Sequence, residues 1–197
     1  MKTEKSSGEE EWVSEVQAEA MMQERERREI EEKSMKDFDT GIWNSRGLME
    51  LGSRLISQRD RQGLPTSVMF IDIDDMKGLN DRFGHPATTE LLKQFANHLT
   101  KMVRTEDVAA RFGGDEFVLV IASDKEDVPA RFNEPFTTEV KGVPVTLTFT
   151  AGVVEIDMSH GEGLQLDAQG KLKQAIEKSD DVLMNAKKQN KGKVEIK

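Results

Sequence analysis

The chain has 197 residues, 36% hydrophobic and 33% charged, with a formal net charge of −9 and no cysteine. That length suits one domain with an appendage, the lack of Cys excludes a disulfide framework, a thiolate metal site and a cysteine nucleophile, and the acidic balance argues against binding a nucleic acid polymer. No run approaches the roughly 18 apolar residues of a membrane span and the N-terminus has no apolar signal core, so the expectation is a cytoplasmic protein away from membranes, handling any phosphate with metal ions and a few placed cations.

Residues 1–36 stand apart. They hold eleven Glu and seven Lys or Arg and no Pro, and Glu9 to Lys36 reads as a helix. Val13, Val16, Ala20 and Ile30 sit on an a/d seam that Gln23 and Arg27 interrupt. Two readings fit: a solvated helical extension, or a short coiled-coil stalk that pairs two copies. From Asp37 to Lys197 the pattern is mixed. Leu48, Leu51, Leu55 and Ile56 recur at helical spacing until Gln62-Gly63-Leu64-Pro65 breaks them. Val68 to Ile73 is a strand buried on both faces, and Leu91, Leu92, Phe95, Leu99 and Met102 form a helical stripe. Val108–Phe112 and Glu116–Ile121 flank Gly113-Gly114 as a tight hairpin. Residues 123–142 read as irregular, and Val143 to Ile156 as one long strand or a bent pair. An amphipathic helix through Leu172, Ile176 and Leu183 follows, and Val194 to Ile196 is a closing strand. With a hairpin in the middle and no strict alternation of strand and helix, the order predicts an α+β sandwich: a central, largely antiparallel sheet flanked by helices, with an N-terminal helical extension.

Side chains alternate along a strand, so Val68, Phe70, Asp72 and Asp74 share one face. Asp115 and Glu116 follow the hairpin turn. If the hairpin lies beside the first strand, Asp72, Asp115 and Glu116 converge at one sheet edge. Carboxylates so placed raise one another's pKa, a penalty that a hard divalent cation removes; oxygen ligands with open positions suit Mg²⁺ or Mn²⁺ and a polyphosphate. The plainer reading makes the same residues strand-end and hairpin-turn polar groups.

The run Arg111-Phe112-Gly113-Gly114-Asp115-Glu116-Phe117 resembles the signature of the GGDEF-domain diguanylate cyclases. Phe70 to His85 is similar to the family's strand, loop and helix start, Asp37, Thr40-Gly41, Asn44 and Arg46 to its entry motif, and Ser179-Asp180 and Ala186-Lys187 to its last helix. The resemblance covers Asp37 to Lys197. It implies a sandwich like the palm of nucleotide cyclases and polymerases, and a transferase that joins two GTP into cyclic di-GMP with release of two pyrophosphates. Each subunit of a homodimer would hold one GTP facing the other. It further implies two divalent cations per site, held by Asp72, the Ile73 carbonyl, Asp115 and Glu116, the last also placed to take a proton from the 3′-hydroxyl. Asp75, Met76, Lys77, Lys187 and Lys191 would meet the triphosphate, Gly113 and Gly114 would leave room for the nucleotide, and Asn80 would hydrogen-bond guanine. Arg104 and Asp107 match an inhibitory product site for cyclic di-GMP; the alternative is a surface salt bridge at a helix end.

Thr89 stands where the family pattern has an Asp that accepts two guanine N–H donors, which removes a charge-assisted pair of roughly 1.5–3 kcal/mol. The substrate set therefore extends to ATP, with a relaxed or hybrid cyclase making cyclic GMP-AMP as one alternative. A catalytically silent module that binds cyclic di-GMP is another. The segment between Ile121 and Val143 is short for the family and reads as a trimmed peripheral element.

Overall fold

The computed structural model describes residues 4–132, 135–156, 166–189 and 192–197. They group into two compact units, one ending at Met35 and the other running Lys36–Lys197. The first is α1 (Glu4–Ser34), a helix rich in ionic residues whose Arg25–Glu29 and Arg28–Glu24 pairs are exposed, as are Met21, Met22 and Ile30. The side chains of Val13 and Val16, on the proposed seam, lie outside the described residues.

In the second unit, α2 (Ser45–Gln62) starts where the Asn44 side chain accepts the Gly47 N–H at 3.0 Å and stops at Gly63, φ 64°. There follow β1 (Ser67–Ile73), α3 (Met76–Phe83), α4 (His85–Met102), β2 (Val108–Gly113), β3 (Glu116–Ile121), α5 (Val128–Arg131), β4 (Phe136–Val140), β5 (Val143–Leu147), β6 (Phe149–Glu155), α6 (Ala168–Gln189) and β7 (Val194–Ile196). Five strands form one sheet in the order β2-β3-β1-β6-β7. β1 is antiparallel to both β3 and β6, and only β7 pairs in parallel, against β6. This is the α+β sandwich that the element order predicts.

The period-2 alternation of β1 splits the core. Met69, Ile71 and Ile73 pack with α4 through Leu91, Phe95 and Leu99. Val68 and Phe70 face α2 and α6, against Leu48, Leu172 and Leu183. Asp72 shares the second face, so it points toward α6. Gly152 on β6 lets α6 lie flush on the sheet, because a Cβ there would collide with the backbone O of Ser179 and N of Leu183.

Three sequence expectations need correction. Residues 123–142 are not irregular throughout: they hold α5 and the strand β4, which pairs with β5 across Lys141-Gly142. That turn takes positive φ at both residues, 51° and 77°, and a lysine does not advertise it. Second, of the two readings of 143–156 the single long strand fails and the pair holds, as two strands in two different sheets parted at Thr148. Hydrophobic alternation runs unbroken across the break, which is why the sequence hides it; only the burial changes, from one face in β5 to both in β6. Third, the two-residue turn of the β2–β3 hairpin is Gly114-Asp115, since Gly113 still pairs with Glu116 and only Gly114 has positive φ, 40°.

Candidate active site

The paired strands build an acidic corner. Asp72 and Glu116 are direct cross-strand partners on β1 and β3. Asp115 sits in the hairpin turn, where its carbonyl accepts the Ile73 N–H at 3.3 Å. The Ile73 side chain is buried in the core, so its backbone is what it offers the corner. From behind, α6 delivers Lys187, whose Nζ lies 2.6 Å from Asp72 Oδ1. Burial pushes the Asp72 carboxyl above its ordinary value, the Asp115 and Asp74 charges push the same way, and Lys187 offsets only part. Glu116 is raised by burial and then by Asp72, Asp115 and Asp180. Among the described residues no three carboxylate or imidazole groups close into a ready-made metal cage. The three acidic side chains thus share a corner and a field without converging on one point. Chemically the donor set fits a hard divalent cation: oxygen donors whose unrelieved mutual repulsion such an ion would remove.

Asp115 joins the corner to a cleft of about 520 Å³ whose lining includes the expected Met76, Lys77, Asn80, Thr89 and Gly114 together with Asp81, His85, Thr88, Leu92 and Arg111; Asp72, Glu116 and Lys187 lie outside that lining. Asp75, at φ 57°, caps α3 by accepting the Gly78 N–H, and it is exposed. Met76 is mostly buried in the core. Asn80 Oδ1 accepts the hydroxyl of buried Thr88, which fixes the amide with its NH₂ as the open end. The Thr89 hydroxyl donates to the His85 carbonyl at 3.0 Å, so only its lone pairs remain to offer. Space above Gly114 is open, with nothing within 4 Å of where a Cβ would stand. Gly113 lies against the Glu116 carboxylate. Lys191 lies outside the described residues.

Arg111 has a role that its place in the motif does not advertise. Its Nε donates to the Gly114 carbonyl at 3.0 Å, while NH1 reaches Asp37 at 3.1 Å and Asp39 at 2.9 Å. Asp37 in turn accepts from the Thr40 N–H and hydroxyl. Burial alone would raise the Asp37 carboxyl; the Thr40 bonds and the Arg111 guanidinium outweigh it and hold the group below the usual range. The entry segment and the turn at the acidic corner are thus one hydrogen-bonded strut. Its sequence signal was the paired acids of Asp37 and Asp39 beside a lone arginine in the hairpin.

At the far end of β2, Arg104 is exposed, but Asp107 is not available in the way the sequence suggests. Its carboxylate accepts the Arg104 N–H at 2.8 Å, the Ala122 N–H at 2.8 Å and the Arg131 guanidinium at 2.8 Å, and its side chain is fully buried. The segment after Ile121 supplies that arginine, at the end of α5.

A family model described as the GGDEF domain of diguanylate cyclases matches residues 34–193. The chain belongs to the GGDEF family. This GGDEF domain is 29% identical over 173 residues to diguanylate cyclase DgcP of Pseudomonas aeruginosa, covering 84% of the chain and 24% of DgcP. It is 32% identical over 130 residues to the response regulator PleD of Caulobacter vibrioides, covering 66% and 29%. It spans about a quarter to a third of the length of these curated relatives. Among solved structures, the coiled coil and GGDEF domain of DgcB from Caulobacter crescentus, in complex with c-di-GMP, has a TM-score of 0.75 at 17% identity, covering 95% of this chain and 98% of that one. A sensory box/GGDEF protein from the same organism has a TM-score of 0.65 at 26% identity, covering 79% and 99%. Among the described residues no helix is long and apolar enough to cross a membrane.

Proposed function

We propose that this GGDEF domain joins two GTP into cyclic di-GMP, releasing two pyrophosphates, as one half of a homodimer that brings two clefts face to face. The observation that carries the reading is the acidic corner: Asp72 and Glu116 paired across β1 and β3, Asp115 in the adjoining turn, and a nucleotide-sized cleft opening beside the uncrowded Gly114. Asp72, the Ile73 carbonyl, Asp115 and Glu116 would hold Mg²⁺ or Mn²⁺, which when bound supplies charge neutralisation at the α-phosphate and acidifies the attacking 3′-hydroxyl. The chain's own residues do the rest. Lys187 and Lys77 receive triphosphate oxygens, Asn80 presents its NH₂ to the purine ring, and the Arg111 strut fixes the turn that carries Asp115. Glu116, whose proton affinity is raised, accepts the hydroxyl proton. Phosphoryl transfer asks for positioning and charge neutralisation more than covalent help.

The test is to incubate the protein with GTP, ATP and Mg²⁺ and resolve products by mass, with Asp115→Ala as control. Cyclic di-GMP made by the wild type and lost in the variant supports the reading. A folded dimer without product overturns it in favour of a silent binding module.

A second reading concerns base choice. No carboxylate stands at Thr89, and its hydroxyl proton is spent on His85, so the guanine N1–H and N2–H meet a neutral acceptor. A dominant cyclic GMP-AMP product would establish a hybrid cyclase. Inhibition by cyclic di-GMP at the Arg104–Asp107 turn would rest on Arg104 and backbone groups, because both Asp107 oxygens are engaged within the chain. Added cyclic di-GMP leaving the initial rate unchanged would remove that site.

A further inference from the structure

Asp74 is a carboxylate that the proposed chemistry does not use, yet the fold buries it beside the acidic corner. Its N–H donates to Thr148 O at 2.9 Å, which ties the end of β1 to the start of β6. Its Oδ1 accepts the hydroxyl of Thr150 at 2.9 Å; Thr150 is itself fully buried. Thr150 Oγ1 accepts the N–H of Gly192 at 3.0 Å. Gly192 is the first described residue after α6, and Lys193 continues the return by giving its carbonyl to the Ala151 N–H at 2.9 Å. Among the described residues Oδ2 of Asp74 is buried without a hydrogen-bond partner, about 4.0 Å from where a Cβ on Gly192 would stand.

The chemistry of the three groups fixes the direction of this chain of bonds. The Asp74 oxygen accepts and a backbone N–H only donates. The Thr150 hydroxyl between them therefore has one way to serve both, giving its proton to Asp74 and its lone pair to Gly192. A neutral amide in place of Asp74 could turn either end toward Thr150 and would lose that unique orientation. A buried polar oxygen left without a partner among the described residues is costly, so its presence here calls for a role.

What the bonds fasten is the exit of α6. Gly152 sets how closely the middle of that helix approaches the sheet, and the Asp74–Thr150–Gly192 bonds anchor the chain that leaves it. Between these two fastenings lies Lys187, 2.6 Å from Asp72. We propose that Asp74 and Thr150 are positioning residues that hold Lys187 where it meets the nucleotide's phosphates. The inference rests on the reading of Lys187 as a triphosphate ligand.

The experiment measures the Kd of a GTP analogue with a methylene between the α- and β-phosphates, in Mg²⁺, for the full chain. Five proteins are compared: wild type, Thr150→Val, Lys187→Met, the double variant and, as the conservative replacement, Thr150→Ser. Thr150→Val is expected to weaken binding about fivefold to tenfold, the equivalent of one hydrogen bond, with Thr150→Ser restoring it to within about twofold of wild type. The double variant should bind no more weakly than Lys187→Met alone, because Thr150 acts through the lysine. Independent losses that multiply in the double variant, or a lower Tm with unchanged Kd, would overturn the proposal and leave Thr150 with a role in stability only. If Thr150→Val does not fold, Asp74→Asn takes its place in the same cycle under the same criteria. A wild type that binds no analogue would take down the functional reading and this inference together, an outcome distinct from a wild type that binds and a cycle that is additive.

Discussion

At Asp72 the fold holds a carboxylate whose charge it offsets only in part. Lys187 is within 2.6 Å, but burial and the Asp115 and Asp74 charges still leave the group more easily protonated than a free aspartate, and Glu116 across the ladder is shifted the same way. Groups whose folded pKa is raised cost stability as pH rises through the interval between their unfolded and folded values, and near neutral pH that cost is complete. A bound divalent cation favours the charged forms. Mg²⁺ should therefore raise Tm most near neutral pH, with the gain shrinking toward the ordinary carboxylate range, about pH 4; thermal unfolding with and without Mg²⁺ across that range checks this. Base choice belongs to the same scale. Thr89→Asp would restore an acceptor-only group at the cleft, and the ratio of GTP to ATP consumed should rise by about tenfold or more, in line with a charge-assisted pair of roughly 1.5–3 kcal/mol.

Elements bring these residues together through a few fastenings. The strut from Asp37 through Arg111 to the Gly114 carbonyl joins a segment before α2 to the β2–β3 turn. Because Asp37 is held below its ordinary value, its contribution is present above the unfolded value, about 3.9, and is lost as pH falls through the lower folded one. Asp37→Asn should lower stability by about 1–3 kcal/mol near neutral pH. The gap to wild type should close only at pH below the ordinary aspartate value, which denaturant melts at several pH values would show. Gly152 is the second fastening. Gly152→Ala should cost more than the ~1–3 kcal/mol of an ordinary added methyl, because the obstructing atoms are the α6 backbone and cannot rotate aside. A Tm measurement tests it.

For the whole molecule, the second unit has its own two-sided core, whereas α1 is ionic and carries exposed Met21, Met22 and Ile30. A helix polar on nearly all sides gains its stability from a partner or from ion pairs along its face. The proposed reaction would join two GTP held in two facing clefts, and α1 is the element that could pair them. A chain beginning at Lys36 should keep the Tm of the second unit. It should sediment as a monomer, and its rate per subunit should rise with protein concentration where the full chain's does not. Equal sedimentation of both chains would place dimerisation outside α1.

Local chemistry made much of the fold readable from the residues in order. The buried run Val68–Ile73, the stop at Gly63, the hairpin before Phe117 and the last helix each depend on neighbours within a few positions. Asp72, Asp115 and Glu116 are legible as strand-end and turn positions, but that Asp72 faces Glu116 depends on β1 pairing with β3 across more than forty residues of chain, which local chemistry does not dictate. Beyond that reach lie Lys187 on Asp72, Arg131 on Asp107, Thr88 on Asn80 and Thr150 between Asp74 and Gly192. Each of these contacts is decided by the distance at which sheet, helix and loop finally pack. The sequence alone determined which chemistry the chain carries and on which elements; the packing of α6 and the entry segment against the sheet decided which charges are met, which are left in want of a cation, and which hydroxyls still face the cleft.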